Sequence, residues 1–193
     1  MVLARLKCCL LTMLLGIAVL PFAANGHLMP LGKGTINIVG EKAYVILSLP
    51  VSAFRDIPVC ADGVLSQTEL NTHRGAMHDA VRKGLQIASG APATIDKVLL
   101  NLPTGYDHDP DKSGEIVVMV VARMQGAPEA LTFTSNLWAA QPEPLEIQVT
   151  VTEGGHTLKR EVETLTADNP THTFFAPKAS AARSNTPVRS PTP

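Results

Sequence analysis

The stretch "LEIQVTVTEGGHTLKREVETL" (145–165) decides the fold. Leu145, Ile147, Val149 and Val151 alternate with Glu146, Gln148, Thr150 and Thr152. A period of two puts the aliphatic set on one side of a pleated strand and the polar set on the other. That is how a sheet with one wet face is written. Gly154-Gly155 comes next. Two glycines accept the positive φ that a two-residue hairpin turn demands, so the chain should fold back along 156–165.

The same pattern recurs on both sides of the hairpin. Toward the N-terminus, "GTINIVGEKAYVILSLP" (34–50) reads as two strands around a Gly40-Glu41-Lys42 turn, closed by Pro50. "ATIDKVLLNLP" (93–103), "EIVVMVVARM" (115–124) and "EALTFTSNLW" (129–138) are further strands. The second of these is almost wholly apolar and should be internal to a sheet. "THTFF" (171–175) is a short last strand. Only one long helix interrupts the series. It should start at Ser66, carry Leu70, Met77, Val81, Leu85 and Ile87 on its apolar side, and stop at "SGAP" (89–92). "VSAFRDI" (51–57) has room for one or two helical turns before Pro58. A parallel α/β fold needs several crossover helices, so the expected class is mainly β with one inserted helix: an antiparallel β-sandwich or open barrel.

The two ends of the chain read differently. Arg5 and Lys7 precede the apolar run "CCLLTMLLGIAVL" (8–20), Pro21 breaks it, and "AANG" supplies small residues. That is the pattern of a secretory signal peptide over 1–26, cleaved after Gly26 or Ala24. The domain should then span 27–176 in a periplasmic or secreted protein. The run is short for a spanning helix, so no stable membrane insertion is expected once it is removed. From 177 to 193, Pro, Ser, Thr and Ala dominate with no acidic residue, the composition of a disordered tail. Loss of Arg5 and Lys7 takes the formal charge from −1 to −3. A mildly acidic domain is a poor partner for nucleic acid, which needs clustered Lys and Arg. Cys8 and Cys9 leave with the signal, so Cys60 stands alone and forms no internal disulfide.

One loop carries a candidate chemistry. In "PVCADGVLSQTE" (58–69), Gly63 falls where a twelve-residue EF-hand calcium loop needs its sharp turn. Asp62 then stands fifth, Val64 seventh with its carbonyl, Ser66 ninth and Glu69 twelfth, each a ligand-bearing position. The front half departs from the pattern: Pro58 and Cys60 offer no hard oxygen at the first and third places. Ser66-Gln67-Thr68-Glu69 is also S-x-x-E, a capping box that explains Ser66 and Glu69 without a metal.

"GTINIVGEKAYVILSLPVSAF" followed by "DGVLSQTELNTH" resembles exported bacterial proteins in which a β-rich domain carries one EF-hand-like segment. These are similar in part to extracytoplasmic regions of hydrogenase/urease-accessory-type membrane proteins. The resemblance covers residues 27–138 and implies an EF-hand-like segment over 51–88, calcium ion binding and an extracytoplasmic location. Asp62, Ser66 and Glu69 are the ligand-type residues it carries over. It implies no reaction.

Two other groups could take a metal. Asp107, Asp109 and Asp111 have D-x-D-x-D spacing, although Lys112 replaces the loop glycine and a strand follows. The alternative reading is a solvated hairpin loop. His27 would be the first residue after cleavage at Gly26, and a free amine with the first imidazole chelates copper if a second imidazole joins. The sequence holds no G-x-S-x-G, H-E-x-x-H or glycine-rich phosphate loop. The expected function is therefore non-enzymatic: an exported module with a degenerate EF-hand that binds calcium weakly or serves as a structural loop, with an unidentified protein as its partner. The alternative is a periplasmic copper-type metal-binding protein using His27.

Overall fold

The computed structural model describes residues 29–103, 111–137 and 144–176. The first half of the chain forms β1 (Lys33–Val39), β2 (Lys42–Pro50), 3-10 turns at Val51–Phe54 and Pro58–Cys60, β3 (Leu65–Ser66) and helix α1 (Gln67–Gly84). Then come β4 (Leu85–Ser89), β5 (Ala91–Pro92), β6 (Thr94–Asn101), β7 (Lys112–Ser113) and β8 (Glu115–Arg123). The last elements are β9 (Leu131–Ser135), β10 (Leu145–Glu153), β11 (His156–Leu165) and β12 (Thr171–Phe174). Among the described residues the protein is mainly β with a single α-helix, and the sheets do not close into a barrel.

The decisive hairpin forms as its sequence dictates. Gly154 and Gly155 take φ of 55° and 82°, and β10 pairs antiparallel with β11. One irregularity lies between Val151 and Thr152. The large sheet runs β11-β10-β1-β2-β8-β6, and a smaller one runs β12-β9-β4-β5. Among the described residues every ladder is antiparallel except β1–β10, which is parallel. A parallel pair needs a long crossover, and here residues 40–144 lie between its strands. Strand alternation shows one side but not the neighbour, so this pairing lay beyond the sequence pattern. Gly34 permits it. A Cβ there would sit 2.6 Å from Leu47 Cδ2 and closer still to Ile147 Cδ1, where β2 and β10 flank β1. Lys33 and Glu146, opposite each other in that register, form an exposed ion pair at 2.8 Å.

A second difference concerns the helix, expected to include Leu85 and Ile87. It ends at Gly84, and Leu85 is already extended at φ −108°, ψ 131°. The reason lies in the spacing. Leu85 and Ile87 are two apart, both buried, with Gln86 exposed between them, which is strand periodicity. They pair with Ser135 and Phe133 of β9. Leu137 covers Gly84, where a Cβ would lie 2.6 Å from Leu137 Cδ2, and Asn136 N–H donates to Gly84 O at 2.7 Å.

Both sheets and the helix feed one core. Ile36, Ile38, Val45, Leu47, Val118 and Val120 come from the large sheet, Leu131, Phe133 and Phe174 from the small one, and Leu70, Met77 and Val81 from α1. The edges are joined by Glu161 of β11. Its carboxylate accepts from Phe175 N–H at 2.6 Å and pairs with His172 Nε2 at 3.1 Å. Phe175 holds φ 58°, a conformation that costs a non-glycine residue energy and that this bond helps to fix. The signal over 1–26 and the tail over 177–193, assigned above, lie outside the described residues.

Candidate functional site

The site begins with the turn at Pro58–Cys60. Proline opens it with its φ preset, and Cys60 turns its side chain fully into the core. Gly63 takes φ 79°, the left-handed conformation that the EF-hand-like position requires of glycine. Its N–H donates to Cys60 O at 3.1 Å. Asp62 folds back locally, with Oδ1 accepting from Val64 N–H at 3.2 Å. This is an Asx-type turn, a local bond that such a side chain makes in loops without any metal.

The chain then enters α1 through a complete capping box. Ser66 is the N-cap, with β-region φ of −88° and ψ of 160°. Its hydroxyl accepts from Glu69 N–H at 3.2 Å, and Glu69 Oε2 accepts from Ser66 N–H at 2.8 Å. The Ser66 hydroxyl also donates to the same Oε2 at 2.7 Å. Glu69 is thus turned back on Ser66. The Ser66 backbone and side-chain bonds hold its carboxyl below the usual carboxylate range, aided by Lys112 and His73. The negative carboxylate also lies at the positive end of the helix dipole, in the first turn.

A contact that the linear pattern did not suggest joins the two acidic loops. Leu65 and Ser66 pair antiparallel with Ser113 and Lys112. Residues 111–113, at the end of the Asp107–Asp111 motif, therefore lie against the start of the helix. Ser66, Gln67, Thr68, Leu102, Pro103, Asp111 and Lys112 line a half-open cavity of about 500 Å³ there. His27, Asp107 and Asp109 lie outside the described residues. Among the described residues no three or more His, Cys, Asp or Glu side chains gather closely enough to hold a metal ion.

On the other flank of α1, Phe54, Asp56, Ile57, Ala80, Lys83 and Leu137 line a second half-open cleft of about 520 Å³. Asp56, which stands just before the loop in sequence, contributes to this cleft. The charges there are mixed, with Asp56 and Asp79 against Lys83. Sequence reading missed this cleft because its walls come from segments some 80 residues apart.

Cys60 is chemically quiet. Burial, followed by the nearby Asp62 and Glu69 carboxylates, pushes its thiol up to about 11. At neutral pH it is a protonated core side chain. His78 on α1 has a buried Nε2 without a hydrogen-bond partner, and burial, with Arg74 and Arg82 beside it, lowers its basicity.

Comparison with known proteins finds no family model and no curated protein that matches this chain. Among the described residues no helix is long and apolar enough to cross a membrane.

Proposed function

We propose that this chain is an exported, non-enzymatic module that acts through its surfaces, and that its EF-hand-like segment is a joint of the fold. The observation that carries this reading is the orientation of Glu69. Oε2 of the carboxylate a calcium loop would use in bidentate fashion receives two hydrogen bonds from Ser66. Calcium takes six to eight oxygens. Of the carboxylates in residues 58–69, Asp62 is engaged in its own turn and Glu69 in its own cap. Cys60 offers a buried sulfur where an oxygen is wanted. The residues therefore do not fit a tight calcium site.

The joint has a clear mechanical role. It takes the chain from β2 through two tight turns, pins it to β7 by the Leu65–Ser66 pair, and sets the direction in which α1 leaves. That direction places Leu70, Met77 and Val81 on the core. Export is supported by the charged, apolar and small-residue succession over residues 1–26. Cys60 offers no nucleophile, because its thiol is buried and protonated.

Calorimetric titration with calcium tests the reading. The expected constant is no tighter than about 0.1 mM, the weak end of the extracellular EF-hand range. A micromolar constant that disappears in Glu69→Gln contradicts it. A micromolar constant that survives Glu69→Gln and disappears in Asp109→Asn moves the site to the second loop.

A further inference from the structure

The outward side of β8 spells a self-complementary sequence. Ile116, Val118, Val120 and Ala122 are buried inward, so Glu115, Val117, Met119, Val121 and Arg123 share the opposite face. Read in order, these are acid, Val, Met, Val and base. Turned end for end about Met119, the row meets itself with Glu115 against Arg123 and Val117 against Val121. The neighbours widen it into an apolar patch. Ile46 stands opposite Met119 and Tyr44 opposite Val121 on β2, while Leu99 stands opposite Met119 on β6. Tyr44, Ile46 and Leu99 remain 40%, 37% and 43% exposed. The β1 and β10 side of the same face carries Thr35, Asn37, Gln148 and Thr150. Val39 and Val162 lie on this face too, and Lys97 stands opposite Val121. The apolar patch therefore sits over β2, β8 and β6 toward one edge of the sheet, flanked on the β1 and β10 side by a largely polar surface.

We propose that this face binds a second copy of the chain, sheet on sheet, about a two-fold axis at Met119. The area suffices. Six strands about 4.8 Å apart and about 29 Å long present on the order of 800 Å², what each partner of a standard stable interface buries. The geometry also suffices. Packed sheets cross at about 30°. Glu115 and Arg123 lie about 13 Å either side of Met119, so that crossing separates the paired ends by about 7 Å sideways, within the joint reach of these two side chains. Both ends keep capacity for a partner. Glu115 accepts one bond, from Ser48 Oγ at 2.6 Å, and a carboxylate has further lone pairs. Arg123 spends one nitrogen on Asp96 at 2.7 Å, and its guanidinium carries five donors. A two-fold makes both charge contacts at once, which is what an isologous interface requires. The inference is independent of the loop reading, because these residues lie outside residues 58–69.

Sedimentation of the protein as its cells produce it, between about 1 and 100 µM, tests the proposal over the range in which an interface of this size associates. The expected species has twice the chain mass. Glu115→Arg and Arg123→Glu should each sediment as monomers, because each sets like charges against each other at both ends. An equimolar mixture of the two should recover the doubled mass, because unlike charges then meet at both ends. If loss of the Ser48 bond unfolds Glu115→Arg, the pair Met119→Glu and Met119→Lys serves instead at the axis. Each alone should be a folded monomer, and their mixture a dimer. A monomer at 100 µM for the unmodified protein overturns the proposal. So do folded variants that dimerise unchanged, and so does a mixture that stays monomeric.

Discussion

Replacing Ser66 by Ala should destabilise the protein more than replacing Glu69 by Gln. Ser66→Ala removes the hydroxyl that satisfies Glu69 N–H and that donates to Glu69 Oε2. An N-cap serine typically contributes about 1 kcal/mol, within a range of about 0.5–2. The upper half of that range is expected here, because one atom loses two bonds and Leu65, its neighbour in the β3–β7 pair, is fully buried. Glu69→Gln keeps an oxygen that can accept from Ser66 N–H, since glutamine also serves in a capping box. Its cost should stay below about 0.5 kcal/mol, the range of exposed substitutions that break no buried feature. For a chain of this size each kilocalorie shifts the midpoint by about 2–4 °C. Urea unfolding in the presence of a chelator, followed by circular dichroism, measures both variants without any metal. A Glu69→Gln loss larger than that of Ser66→Ala would refute the reasoning, because the carboxylate would then hold more than the cap.

Gly34→Ala should cost about 1–3 kcal/mol as an overpacking change. Its Cβ meets Leu47 and Ile147, both fully buried, and equilibrium unfolding reads the loss. Cys60 should react with a thiol reagent at pH 8 far more slowly in the folded than in the unfolded chain. With its pKa at about 11, roughly a thousandth of it is thiolate there. The same raised value makes a pH prediction. The protonated thiol's contribution is intact below the unfolded value near 9 and fades as pH rises from 9 toward 11. Glu69 acts in the opposite sense: its pKa is lowered from 4.5, so its contribution is present above that value and is lost as pH falls through the depressed one. Unfolding midpoints across pH should therefore decline at both ends.

Local rules carried most of the fold into the sequence. The alternation of Leu145 to Val151 predicted which side of β10 is buried, and Gly154-Gly155 placed the turn. Ser66 and Glu69 announced the cap, and all of its bonds form. Leu85 and Ile87 were ambiguous, because a residue pair two apart at the end of a helical run satisfies either period for a few positions. The ladder with β9 decided it. What stayed hidden was non-local: the parallel β1–β10 pair, the β3–β7 contact between the two acidic loops, and the bond from Ser48 to Glu115, 67 residues apart. In the candidate site, the EF-hand rhythm called for a turn at Gly63, and Gly63 takes φ 79°. It could not say that Glu69 would face its own cap, because both roles demand the same residue at the same position.

The central claim is that residues 58–69 are a fold element that needs no metal, and thermal unfolding in roughly 1 mM calcium against excess chelator tests it most directly. A site no tighter than about 0.1 mM adds at most about 1.4 kcal/mol at that concentration, a rise of no more than about 6 °C. The account predicts a shift within that bound, unchanged in Glu69→Gln. A micromolar site would add about 4 kcal/mol and raise the midpoint by about 8–16 °C. A rise of that size, abolished by Glu69→Gln, would contradict the account.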